Sequence, residues 1–313
     1  MPVFSETPAI QTVGYLIDRT FDLLLGAARE ERNQLAVDID AEQDTFTVNY
    51  SLDNLRRGTY LAIDDETMYV WDATDGSGST SSVRVQRADR GTMPAPHTAG
   101  AIIQVNPYFS RHAVRAAVQD EIRSWQPQVF QTKTIDLQGL DYIRGYDFGT
   151  DMVLAMLSVK LSPDLKIGMA SDQNWTDVRY RFNPDADPGT FPSGQSLTIV
   201  SNLGMYDTPR TIRATYATPI DVDTTFTDPD QLGPMGLMST EVDIPPFGAA
   251  WRLMAGREVR RSLTEAQGQV ADLTNNPAGY QIKASSEYKT FRDNRLRDAA
   301  WRLRAIHPLM RNS

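Results

Sequence analysis

The chain of 313 residues contains no cysteine. Disulfide frameworks, thiolate metal sites and cysteine nucleophiles are thereby excluded, and nothing in its covalent chemistry requires an oxidising compartment. Histidine is nearly as scarce. His97, His112 and His307 lie far apart in different kinds of segment, so a three-histidine metal centre is not expected. No apolar run approaches the roughly 18 residues that span a bilayer. The opening MPVFSETPAI also lacks the basic and apolar stretches of a secretory signal. Missing too are G-x-S-x-G, H-E-x-x-H, the Walker A loop and a G-x-G-x-x-G set between strand and helix. DGSGST has the small residues of a phosphate loop without the lysine or the helix that should follow. The expectation is a protein that is not an enzyme, binds no cofactor or metal and meets no membrane.

What is present is an uneven charge. Residues 1–230 hold 19 basic and 32 acidic side chains, a net −13, whereas residues 231–313 hold 12 and 8, a net +4. An acidic body with a basic end favours head-to-tail contacts between copies, or a basic face on an acidic partner.

Hydropathy periods divide the chain. Ile10, Val13, Ile17, Phe21, Leu24, Leu25 and Ala28 recur at spacings of three and four, which predicts a helix from Thr7–Pro8 to about residue 35 within an N-terminal unit, 1–43. Residues 44–106 switch to period two and read as a small antiparallel β-module with DGSGSTSS at a hairpin tip. Residues 107–127 return to helix, with Ser110 as N-cap, Val114, Ala117, Val118, Ile122 and Trp125 on the apolar face, and Pro127 as the stop. Residues 128–227 hold short strands separated by Pro/Gly/Asp turns, the pattern of a β-sandwich. Residues 228–313 hold a linker, 228–246, and two helices. The linker reads either as an extended arm or as an ordered loop. The last helix sets Tyr288, Phe291, Leu296, Ala299, Leu303 and Ile306 near one face and Arg292, Arg295, Arg297, Arg302 and Arg304 on the other. The fold class expected is α+β: a helical framework carrying two antiparallel β-insertions, the larger a sandwich.

Two places resemble sites. In IDDE, strand alternation sets Asp64 and Glu66 on one face and Asp65 on the other. A solvated edge that discourages strand pairing outweighs a cation site there. Asp185 and Asp187 occupy an acidic turn without the spacing of a calcium loop. In RVQRADRGTMPAPHTAG (Arg84–Gly100), glycines permit turns, prolines stiffen the path, and Thr92 and His97 are read as bonding local backbone.

Ile63, Asp64, Glu66, Met68, Val70, Val85, Arg87, Gly91, Thr92, His97 and Gly100 together resemble a pattern of tailed-bacteriophage virion proteins. There, I-D-x-E-x-M-x-V is followed by V-x-R-x-x-x-G-T-x-x-x-x-H-x-x-G. NPYFSRH, and IPPFGAAWRLMAGREVRR with the closing RLRAIHPL, are similar to the same proteins. The resemblance covers about half the chain and is closest to head-to-tail adaptors of the neck. It implies a homo-oligomeric ring, commonly of twelve copies, bound below a portal protein and above a downstream neck or tail protein. It also implies passage of DNA without sequence-specific binding, and a place in the virion after assembly in the host cytoplasm. Arg292, Arg295, Arg302 and Arg304 become expected portal or intersubunit contacts, and Arg87, Arg90, Thr92 and His97 an expected intersubunit loop. A tail, baseplate or capsid-decoration protein is the alternative. A carbohydrate-binding or hydrolytic protein, using Trp175, Asp177 and Tyr180 of the sandwich, is a second.

Overall fold

The computed structural model describes residues 8–25, 31–50, 55–75, 80–139, 145–149, 151–162, 175–200, 210–223, 226–266 and 280–307. Four helices and thirteen strands in three antiparallel sheets fill these residues. The protein is strand-rich, which overturns the expected helical framework with two β-insertions. Its strands build three sheets around two hydrophobic cores of their own.

The first sheet shows how the sequence misled. After helix α1 (Val13–Leu25), strand β1 (Glu31–Gln34) arises from ERNQ, polar residues with helical propensity. Pairing decides its state: Glu31 to Gln34 run antiparallel to Val105 to Ile102. Tertiary pairing outweighs a weak local preference. Residues 8–12, before α1, are likewise not helical. Pro8 and Thr12 bridge to Met238 and Gln231, leaving Ile10 exposed. Residues 26–30, with Ala28 of the expected stripe, lie outside the described residues.

The remaining strands of this sheet are β2 (Thr45–Val48), β3 (Tyr60–Ile63), β4 (Glu66–Asp75), β5 (Ser81–Gln86) and β6 (Ile102–Val105), in the order β1-β6-β3-β4-β5-β2. The sheet curls until its edges meet: Leu35 bridges Val48, and Ala36 N–H donates to Thr47 at 2.9 Å. The result is a small barrel. Alternation points Leu61, Ile63, Met68, Val70, Val83 and Val85 inward, all buried. The tip of the β4–β5 hairpin, 76–79, lies outside the described residues.

Helix α2 (Arg111–Arg123) follows, its first turn capped by Ser110 Oγ accepting from Ala113 N–H at 3.2 Å. The described residues between 128 and 227 then form two antiparallel sheets that share one core, and they are not an insertion into a helical framework. Strands β7 (Gln131–Gly139), β9 (Ala155–Leu161), β10 (Thr176–Asp177) and β13 (Arg210–Thr218) are ordered β10-β9-β13-β7. Strands β8 (Gly145–Asp147), β11 (Tyr180–Asn183) and β12 (Ser196–Ile199) are ordered β11-β12-β8. Phe148, Val159, Leu197, Ile212 and Tyr216 belong to one cluster between them.

Helices α3 (Ile244–Ala266) and α4 (Tyr280–Ile306) pack on α1 and α2 around a third core that includes Leu16, Ile17, Trp125, Leu237 and Leu296. In the expected linker, residues 244–246 open α3 and residues 228–243 are an ordered loop, with Leu232, Leu237 and Val242 buried. Its leucines and Met235 supply apolar burial that an extended arm would forgo.

Candidate functional site

The chemistry-bearing residues of the barrel converge at one end. Ile63 pairs with Glu66 across a two-residue turn, Asp64–Asp65, in which Asp64 adopts a left-handed φ of 51°. Aspartate tolerates that conformation better than most residues. The turn points Glu66 inward, and its side chain is 1% exposed. Arg87, at the end of β5, meets it with two parallel hydrogen bonds of 2.7 Å. Ala88 and Ala95 donate backbone N–H groups to the same carboxylate at 3.1 Å. The remaining Arg87 donors reach the carbonyls of Ala95, Asp40 and Gln43.

His97 completes the cluster. Nε2 lies 3.0 Å from Glu66 and Nδ1 lies 3.0 Å from Asp64. A neutral imidazole donates through one nitrogen only, so two carboxylate partners favour the imidazolium. Burial works to lower the His97 pKa, but the bonds to Glu66 and Asp64 outweigh it and raise the value above its ordinary 6.5. Burial likewise works to raise Glu66, yet Arg87, His97 and the two backbone donors hold its pKa down at about 2. His97 also exchanges both backbone hydrogen bonds with Ile39 at 2.9 Å. Thr92 Oγ1 accepts from Thr67 N–H at 3.1 Å. The loop that follows β5 is thus pinned across the barrel end.

This geometry decides what the cluster can do. Both His97 nitrogens are held by carboxylates and its side chain is 2% exposed, so neither nitrogen is open to a ligand in this arrangement. The Glu66 oxygens are likewise filled. The cluster is a charged staple that closes the barrel.

Two further ion clusters join the parts. Asp228 accepts from Arg111 at 2.6 Å and from Arg115 at 2.5 Å, while Arg111 also reaches Asp18 and Arg115 reaches Asp65. Barrel, α1, α2 and the loop before α3 are tied at this point. Burial raises the Asp65 pKa despite Arg115. Beside it, a cleft of about 590 Å³ is lined by Asp18, Asp22, Asp64, Asp228, Arg32 and Arg111 among others. Deeper in the helical layer, Glu121 is wholly buried, accepting from Trp125 Nε1 and Arg252 Nε at 2.9 Å and from Arg292 Nε. Gly248 makes room for it, since a Cβ there would overlap the Glu121 carboxylate.

The residues expected to matter are placed as follows. Arg87, Thr92 and His97 come together, but turned inward; of that loop, Arg90 alone of the four faces solvent. His97 bonds two distant carboxylates through its ring, where local backbone had been expected. IDDE is a turn with a buried carboxylate and not a solvated edge. Arg292 is held by Glu121 and Asp293, and Arg295 by Asp243 and the Thr240 carbonyl. Arg302 is half-buried and Arg304 exposed. The Trp175 ring has Arg213 over it at 4.3 Å, and Tyr180 packs against the inter-sheet cluster. Among the described residues no group of three metal-ligating side chains is placed to hold an ion, and no helix is long and apolar enough to cross a membrane.

Sequence reasoning missed Glu121, although a signal existed: it falls on the apolar stripe of α2, between Val118 and Trp125. It also missed Asp228, Arg111 and Arg115, whose meeting depends on segments over 100 residues apart. No protein-family model matches this chain, and no curated protein matches it in sequence.

Proposed function

We propose that this chain is a structural component of a tailed-phage virion, a head-to-tail adaptor that forms a ring below the portal, joins capsid to tail and continues the DNA channel. One observation carries the reading. The residues of the phage-like pattern, Asp64, Glu66, Arg87, Thr92 and His97, converge on a single inward staple that closes a barrel. The pattern therefore describes a building module, as an assembly protein requires, and its charged groups are spent on shape.

Portal docking falls on the outer side of α4. Trp301 is 70% exposed there, with Arg297 and Arg304 also exposed. Exposed tryptophan beside arginine is the composition of an interface hot spot. An acidic lumen suits passing DNA, because phosphate affinity comes from Lys and Arg.

The test is removal of the gene from the phage that encodes it. The expected product is DNA-filled heads without tails, or heads that lose DNA. Normal tailed particles would overturn the proposal.

A further inference from the structure

We propose that the barrel binds a second copy of this chain head to tail, an arginine-capped aromatic face on one copy meeting an acidic loop on the next. The inference rests on the adaptor reading for the existence of a ring, and it names the surfaces that meet.

The first surface runs along the outside of β3 and β4. The Arg90 guanidinium lies 3.7 Å over the Tyr60 ring. Tyr60 meets Tyr69 edge-on at 5.5 Å, Tyr69 meets Trp71 edge-on at 5.2 Å, and Arg57 caps Trp71 at 5.5 Å. The row faces outward because Leu61, Ile63, Met68 and Val70 take the inward positions. Trp71 stands at a bulge, where pairing passes from Val70–Val85 to Asp72–Arg84, and it is 45% exposed. Trp, Tyr and Arg dominate binding hot spots, and a row already locked edge to face loses little freedom on docking.

The second surface is the loop after β1. Asp38, Asp40, Glu42 and Asp44 are all exposed within seven residues that contain no basic side chain; of the four, Arg84 pairs only with Asp44, at 3.7 Å, and Val37 beside them is 51% exposed. The loop is held in shape, since Arg87 donates to the Asp40 and Gln43 carbonyls at 2.8 Å.

Strand order places the two surfaces. In β1-β6-β3-β4-β5-β2, closed by the Leu35–Val48 bridge, the β3–β4 seam is opposite the β1–β2 seam, from which the acidic loop folds over the barrel end onto Arg87 and His97. Different, complementary surfaces on opposite sides of one module associate heterologously, into rings or filaments. Like-with-like pairing would set Arg57 and Arg90 against arginines, or four carboxylates against four. A nucleic-acid ligand for the aromatic row is disfavoured by Asp72 and Asp89 at its margins.

The absence of native cysteine makes the test direct. Full-length Gln86→Cys, beside Tyr69 in the β4–β5 ladder, is mixed with full-length Glu42→Cys and treated with a short bismaleimide. A cross-linked dimer in the mixture, absent from either protein alone, is expected. Cross-links in one protein alone, or none in the mixture, overturn the proposal. Arg57→Glu with Arg90→Glu should weaken self-association at least tenfold by sedimentation, and adding Glu42→Arg with Asp44→Arg should restore it. Failure of that restoration, or tight binding of a labelled oligothymidylate that Arg57→Glu abolishes, counts against a second copy as the occupant. Location in the virion is read separately. A chain found in the neck without these cross-links sinks this interface alone, and cross-links in a chain found elsewhere sink the adaptor reading alone.

Discussion

Replacing Glu66 by glutamine removes one charge from the barrel end and keeps the size of the side chain. Ala88 and Ala95 donate to different carboxylate oxygens, so the single amide carbonyl keeps only one of these bonds, and the loss combines the ion pair with one backbone hydrogen bond. Its magnitude follows from the carboxyl being held at about 2 against an ordinary 4.5. That difference corresponds to about 3 kcal/mol of preference for the charged form in the folded barrel, at about 1.4 kcal/mol per pKa unit. An independent estimate agrees, because breaking one side of a buried pair costs about 3–5 kcal/mol. Arg87, 8% exposed, is left without its counter-charge. Hydrogen exchange read by mass spectrometry on peptides spanning residues 83–97 checks this. A loss of about 3 kcal/mol raises opening, and so exchange, roughly 150-fold at fixed pH. A change below about threefold would refute the argument that charge closes the barrel.

The same cluster sets a pH window. Glu66 has a depressed pKa, so its contribution is present above pH 4.5 and is lost as pH falls toward about 2. His97 has a raised pKa, so its contribution is full below pH 6.5 and is lost as pH rises through the folded value. Barrel amide protection, corrected for intrinsic exchange, should therefore be greatest between pH 4.5 and 6.5, and His97→Gln should flatten the alkaline side. In the helical layer, Gly248→Ala should lower stability by more than about 2 kcal/mol in chemical denaturation, because the methyl collides with Glu121. Arg292→Met should cost about 3 kcal/mol or more by leaving Glu121 underpaired, whereas Arg304→Met should change stability by less than about 0.5 kcal/mol. Ser110→Ala, which removes the cap of α2, should cost about 1 kcal/mol.

Helix α2 was legible in the sequence because its signals are local: a serine cap, an apolar stripe and a proline stop. The β-character of residues 44–106 was legible for the same reason, from alternation in YLAI and SSVRVQ. Strand β1 was not, since ERNQ becomes a strand only by pairing with residues more than 65 positions away. The overall class failed for a related reason. Helical stripes are conspicuous in a sequence, whereas the strands that outnumber them are short, and only pairing reveals how they gather into three sheets. For the staple, the sequence marked Asp64, Glu66, Arg87 and His97 separately. Their union required a two-residue turn to swing Glu66 inward, a geometry that strand alternation alone does not supply. Arg292 and Arg295 illustrate the opposite error. Helical spacing puts them on a polar face, and the packing of α4 on α2 and α3 turns that part of the face toward Glu121 and Asp243.

A cryo-electron microscopy reconstruction of the intact virion tests the central claim most directly. The account predicts this barrel and its two flanking sheets in the neck, repeated around the channel between portal and tail. Density for the chain on the capsid shell, along the tail tube or at the baseplate would contradict it.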